Sequence, residues 1–284
     1  MIEPIEIDRG RLREDFEVRP IRVKHSLAHN PLFEIEALLD AADRLPPSLI
    51  ECNAGNVPIS FPEGKSAGDG LSPRQIVERM HNEKLWLGLK KIDLLPEYRE
   101  IIEVLLSGVG ESISDTHPGI NNFEGYVFIS SAGTIVPYHM DTEHNFLLQI
   151  RGHKAMYMLD HADPAVLREE DLERYYTNTT RRMRFDPALH SCADKWCLEP
   201  GEGMHVPVTQ PHYVENGDNL SISLSVTFDT PRQQARARIY KVNHHIRQLG
   251  MRPSPYGSSN VRDNLKSAVG LMYQKAFFRR NPSW

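Results

Sequence analysis

The 284-residue chain is 40% hydrophobic and 25% charged, with a net charge of −5. Such values fit a folded chain that buries a sizeable core, as one large domain or two small ones, and exclude a disordered or fibrous polymer. No apolar run approaches the ~20 residues of a membrane span. The opening MIEPIEIDRGRLRE is too acidic and polar for a signal peptide. Three cysteines, Cys52, Cys192 and Cys197, cannot build a disulfide framework and suit a reducing cytoplasm, the expected location. Cys192 and Cys197 with His190 match no usual zinc spacing and are read as unligated.

Charge is unevenly spread. From Pro231 onward eleven Lys or Arg stand against one acid, Asp263, a net +10 that leaves −15 on the first 230 residues. The asymmetry points to an anionic partner for the tail or to a tail docked on its own acidic body.

In chain order, FEVRPIRVKHSL reads as a strand. Asn30-Pro31 opens an amphipathic helix to about Leu45, with Pro at the first helical position. Ser72-Pro73 starts a second helix, and LPEYREIIEVLLSGVGESI forms a third. From Asn122 to Thr230 the text turns to short strands: EGYVFISS, TIVPYHMD, NFLLQI, HKAMYML, GMHVPV and NLSISLSVTF. One helical insertion, roughly 164–176, interrupts them. Strands at this spacing predict a sandwich or small barrel. Beyond Pro231, Ala235, Ile239, Val242, Ile246 and Leu249 form one apolar stripe, and Val261, Leu265, Val269 and Met272 form another. The loop RPSPYGSS between them completes a predicted helical hairpin.

The stretch PYHMDTEHNFLLQIRGHK, residues 137–154, threads polar groups through a core strand. Burying a charge without a partner is costly, so partners are expected. His139 and Asp141 are two apart on a strand and leave the same face. With a distant histidine they fit a 2-His-1-carboxylate facial triad for iron(II). His212, beside Pro211 at a strand end, is the preferred third ligand over His205 in GMHVP. A second His-x-Asp, His161 to Asp163, precedes Pro164 and a helical run, so Asp163 reads as a helix cap. A two-residue turn at Arg151-Gly152 would pair Gln149 with Lys154 and Asn145 with Met158. Lys154 then points into the barrel toward an anion, a carboxylate-bearing cosubstrate, unless the strand is an edge and the lysine reaches water.

These residues resemble the JmjC/cupin-like iron(II)/2-oxoglutarate oxygenases, most of all the HIF asparaginyl hydroxylase type. There a strand carries His-x-Asp, an Asn follows six residues after the first His, and a cosubstrate-binding Lys follows fifteen after it. His139, Asp141, Asn145 and Lys154 match, and His212 before an Asn-Gly turn and an alternating strand matches the second half. The resemblance covers about Asn122 to Thr230. It implies that His139, Asp141 and His212 hold iron(II) and that Lys154 holds the far carboxylate of 2-oxoglutarate, with oxygen as cosubstrate. Where the family often has Thr, three residues before the first His, this chain has Val136, and Thr134 is the candidate substitute. Thr227 stands where the last strand usually carries Asn, and Asp229 where the hydroxylase has Trp. Asn145 and the inward Ser221, Ser223, Ser225 and Thr227 are candidate supports for the site.

The expectation is a mainly β chain with flanking helices around a double-stranded β-helix (jelly-roll) core. It divides into N-terminal helices and strands over 1–121, a catalytic core over 122–230 and a helical hairpin over 231–284. The expected activity is hydroxylation of a protein or peptide side chain or a small molecule. By analogy with the resembled hydroxylases, the hairpin builds a homodimer, its basic outer face of Arg232, Arg236, Arg238, Lys241 and Arg247 attracting acidic peptide or, less favoured, RNA. The rival readings are a metal cupin that does not use 2-oxoglutarate, which Lys154 argues against, and a non-catalytic JmjC-like binding or regulatory protein.

Overall fold

The computed structural model describes residues 2–55, 58–60, 70–115, 117, 119–177, 183 and 185–280. Eleven strands form two antiparallel sheets among these residues. The larger sheet runs in the order β1 (Ile21–Lys24), β9 (Glu202–Val206), β6 (His144–Arg151), β11 (Ser221–Asp229), β4 (Asn121–Ser130), β3 (Leu85–Lys90) and β2 (Ile50–Ala54). The smaller runs β5 (Ile135–His139), β10 (His212–Asn216), β7 (Lys154–Met158) and β8 (Asp194–Leu198). From β4 onward consecutive strands alternate between the sheets in jelly-roll fashion, except that β7 and β8 are neighbours in the smaller sheet, giving the expected mainly β architecture with flanking helices.

The alternation in β11 explains how the layers stack. Ile222, Leu224, Val226 and Phe228 leave one face and join the large apolar core, which includes Ile101, Ile102, Leu105 and Val109 of α4 (Pro96–Ile113). Each such side chain stabilises the fold by ~1.5–3 kcal/mol when fully buried. Ser221, Ser223 and Ser225 alternate with them and are buried on the opposite face, toward the second sheet. There a smaller apolar cluster of Leu147, Met156, Met158, Leu198, Met204, Val206 and Val214 fills the barrel.

The predicted hairpin at Arg151-Gly152 is not formed. β6 pairs with β11 and β9, whereas β7 pairs with β10 and β8, so the chain changes sheets at this corner. Gly152 has φ +67°, and a Cβ there would lie 2.6 Å from the Leu220 carbonyl oxygen, so only glycine turns the corner without strain. Lys154 still faces the interior, but across from β6 rather than beside it. The expected helix after Asn30 also begins differently: a 3-10 turn over Pro31–Phe33 precedes α2 (Ile35–Arg44). The second helix is α3 (Pro73–Arg79), and α1 (Arg9–Asp15) was not foreseen.

The tail forms α6 (Pro231–Gln248) and α7 (Asn260–Arg280), and α6 lies against α5 (Glu169–Thr177). Four of the five cations expected on a basic outer face, Arg232, Arg236, Arg238 and Arg247, are engaged within the chain. Arg232 pairs with Glu17 at 3.2 Å, and Arg247 reaches Glu173 at 2.8 Å and Glu170 at 3.2 Å. Arg236 donates to Thr209 and Arg238 to Ser267. The tail is docked on its own acidic body.

Outside the barrel, His144 and His205 lie 3.3 Å apart under Phe16, whose ring stacks on them at 4.1 and 4.7 Å. Burial, reinforced by neighbouring histidines, pushes His205 down to about 3 and His144 well below its usual value. Both are neutral in both states above pH 6.5, so no penalty applies there. Below it the unfolded chain takes up protons that the folded chain refuses, and stability falls by up to ~1.4 kcal/mol per pH unit for each histidine, for His205 until about pH 3. Urea unfolding between pH 7 and pH 4 should show this decline, with a shallower slope in His205→Phe.

Candidate metal centre

The centre is built by strand register. β10 runs antiparallel to β5, with His212 the Cα partner of His139, and the two imidazole centroids lie 4.2 Å apart. Asp141 follows β5 by two residues, and its carboxylate joins the pair: donor atoms of His139, Asp141 and His212 all lie within 4.8 Å of one another. Among the described residues no other group of three His, Cys, Asp or Glu side chains meets in this way.

Each imidazole is oriented from behind. His139 Nδ1 lies 2.7 Å from the Pro137 carbonyl oxygen, and His212 Nδ1 lies 2.9 Å from that of Gln210. A carbonyl only accepts, so both Nδ1 atoms carry the proton and both Nε2 atoms present lone pairs. Burial, with His139 beside it, pushes His212 down to about 4, so the ring is neutral at physiological pH. Asn145 Nδ2 donates to Asp141 Oδ2 at 3.3 Å, and Ser225 donates to Asn145 Oδ1 at 2.7 Å. Two neutral nitrogens and one carboxylate oxygen suit a divalent first-row metal such as iron(II).

The other predicted residues divide. Lys154 is buried between the sheets and donates to Ser223 Oγ at 2.8 Å. Thr134 is fully buried, but its hydroxyl donates to the Ser131 carbonyl at 3.0 Å and accepts from Asn216 Nδ2 at 2.8 Å. Thr227 is the Cα partner of both Asn145 and Glu124, and its hydroxyl lies 3.5 Å from the Glu124 carbonyl. His205 points to the opposite face of β9, into the Phe16 stack, away from the triad. Asp163 caps a turn through Ala165 N at 2.8 Å, well before α5. Cys52, Cys192 and Cys197 are free thiols.

Asn216 was missed. It is the Cα partner of Lys154, is buried, and its Oδ1 has no hydrogen-bond partner. Counting by twos from His212 through Val214 would have put it on the inner face.

His212→Ala should abolish stoichiometric uptake of one divalent ion, because two ligands hold such an ion poorly. His205→Ala should leave uptake intact. Metal analysis after gel filtration reads both, and the reverse pattern would reassign the centre.

Several known proteins share parts of this design. Over 108 residues the chain is 32% identical to Jumonji C domain-containing protein 5 of Drosophila melanogaster, covering 36% of this chain and 26% of that protein. Over 141 residues it is 28% identical to JmjC domain-containing protein D of Dictyostelium discoideum, covering 47% and 30%. The chain thus matches less than a third of the length of either relative. Escherichia coli YcfD superposes with a TM-score of 0.53 at 15% identity, over 96% of this chain and 69% of that one. The same protein, described as a ribosomal oxygenase in complex with cobalt and 2-oxoglutarate, superposes at 0.50 and 15%, over 96% and 70%. These superpositions show a common fold. No described helix is long and apolar enough to cross a membrane. Residues 113–235, which hold all three clustered side chains and Lys154, match the JmjC domain family.

Proposed function

We propose that the chain is an iron(II)- and 2-oxoglutarate-dependent oxygenase that hydroxylates a protein side chain. The observation that carries the reading is Lys154. Its ammonium lies inside the barrel against a neutral serine hydroxyl, and burial alone lowers its pKa to about 7. Such a cation is retained at a cost unless a ligand supplies the anion. A dicarboxylate reaching from the triad toward Lys154 would supply it. The buried lysine argues against a metal cupin that does not use 2-oxoglutarate.

His139, Asp141 and His212 would hold the metal, and Lys154 with Ser223 would hold the far carboxylate of the cosubstrate. Iron(II) with 2-oxoglutarate and oxygen supplies oxidising power to hydroxylate an unactivated C–H bond. The protein's own part is orientation and exclusion of water. Asn145, fixed by Ser225, steadies the Asp141 carboxylate, while Met156, Met158, Leu147 and Val214 form a buried apolar cluster between the sheets. Thr142 and Glu143, next after Asp141, open onto a groove of about 960 Å³ with Asp229, Gln233, Arg238 and Lys241. Its mixed charges suit a polar peptide segment. The matched spacing to the HIF asparaginyl hydroxylase type and the relation to a protein described as a ribosomal oxygenase support a protein substrate. The pairing of Arg232 and Arg247 with carboxylates of the same chain weighs against the less favoured RNA role.

The homodimer is part of the same reading. On α7 the polar Asp263 and Lys266 are buried against the loop from α6, whereas Val261, Leu265 and Met272 are 80%, 66% and 64% exposed. An apolar stripe turned to solvent fits a two-fold interface with a second copy. Leu265→Glu should convert a dimer to a monomer in light scattering. A wild-type monomer at micromolar concentration would end this part of the proposal.

Lys154→Ala should weaken 2-oxoglutarate binding about a hundredfold or more, since stranding one member of a buried charge pair costs ~3–5 kcal/mol, while metal content stays normal. The wild type should also bind more weakly as pH rises above about 7. Free Lys154 loses its proton there, whereas the carboxylate-bound form keeps it, so binding must take up a proton and weakens by up to ~tenfold per pH unit. Calorimetry with Co(II)-loaded protein measures both effects. Unchanged affinity in Lys154→Ala would remove the cosubstrate assignment.

A further inference from the structure

The loop between β9 and β10 contains an unusual backbone conformation. Thr209 is fully buried and sits at φ +61°. For a β-branched residue that left-handed region is a genuine outlier, and it persists only where surrounding contacts over-determine it. The other described non-glycine residues at positive φ, Lys91 and Asn122, are not β-branched.

Three contacts hold Thr209. Its N–H donates to the Asp141 carbonyl at 2.8 Å. Its hydroxyl donates to the Val208 carbonyl at 2.6 Å and accepts from Arg236 Nη2 at 2.8 Å. The hydroxyl is therefore used in both directions and its rotamer is fixed. The next residue, Gln210, ties its side-chain amide to the Leu159 carbonyl, and the Leu159 N–H donates to Pro211 at 2.9 Å. The Gln210 carbonyl is the group that orients His212. One short loop thus grips the backbone of Asp141 and the imidazole of His212.

Arg236 reaches this loop from α6. Its guanidinium carbon lies 5.8 Å from the Tyr240 ring and 5.6 Å from the Tyr256 ring, and Tyr240 in turn stacks on Tyr176 of α5. A planar cation set among aromatic rings keeps a fixed heading, which lysine could not reproduce. The rest of the tail does not share this link: Arg232 pairs with Glu17 beyond α1, and Arg247 pairs with the buried Glu173 of α5.

We infer that Arg236 is a positioning residue for the metal centre, locking Thr209 in its strained conformation so that the loop holds Asp141 and His212 in place. It touches neither side chain and acts through Thr209. By this contact α6 becomes part of the construction of a site more than twenty residues before it. The inference rests on the metal-site reading above.

The test is Co(II) titration of the full chain, followed by the visible absorption of the metal, which reports affinity and ligand geometry rather than turnover. Arg236→Leu and Thr209→Val should each weaken binding about 10- to 100-fold, the usual effect of losing an outer support. The double variant should be no worse than either single, because both remove one contact. Thr209→Ser keeps the hydroxyl and should bind as the wild type does. Arg247→Leu cuts a different tail anchor and should leave affinity unchanged, which controls for general loosening of α6. Wild-type affinity in Arg236→Leu, equal losses in Arg236→Leu and Arg247→Leu, or additive losses in the double variant would overturn the inference. If Arg236→Leu does not fold, Thr209→Val against Thr209→Ser carries the same comparison. Failure of the wild type to take up one Co(II), or full binding by His212→Ala, would instead sink the metal-site reading itself.

Discussion

Strand β10 lies between β5 and β7, and its register sets the whole interior. At one end His212 stands opposite His139, and at the other Asn216 stands opposite Lys154. A single strand of five residues therefore fixes the distance between the metal centre and the buried cation. Because side chains alternate, a one-residue slip would turn His212 and Asn216 out of the barrel together. The register is anchored where slipping would cost most: His212 by the Gln210 carbonyl and Asn216 by the Thr134 hydroxyl.

The interior carries more polarity than a barrel of this size needs for stability. Lys154, Ser223, Ser225, Asn145, Gln149 and Asn216 are all buried. Hydrogen bonds satisfy most of them, yet a neutral hydroxyl does not neutralise an ammonium. Replacing such a group by an apolar one often stabilises a fold. Its presence is accordingly an argument about ligands rather than about folding, and the apolar core outside the larger sheet supplies the stability that this interior forgoes.

Much of this arrangement was legible in the residues. The two-residue spacing of His139 and Asp141, the alternation of Ser223 and Ser225 with Leu224 and Val226, and the apolar periods of the helices follow from local geometry, and local geometry is written in the chain. What was not legible depended on distant partners. Arg151-Gly152 has the composition of a hairpin turn, and only the pairing of β7 with β10 and β8 shows it to be a corner between sheets. The short strands β2, β3 and β8 lack clean alternation and went unread. The tail arginines read as a basic outer face for an acidic partner because their own partners, Glu17, Glu173 and Thr209, lie 27 to more than 200 residues away in the chain. Lys154 was correctly turned inward for a partly wrong reason: it faces β6 across the barrel and is not paired with it.

The central claim is that the buried lysine and the triad serve one cosubstrate. Conversion of 2-oxoglutarate to succinate by the Fe(II)-loaded protein in air, followed by NMR, tests it without knowledge of the prime substrate. The account predicts slow succinate formation that requires both metal and oxygen and disappears in Asp141→Ala. Metal-loaded wild-type protein that leaves 2-oxoglutarate unconverted and unbound would contradict it.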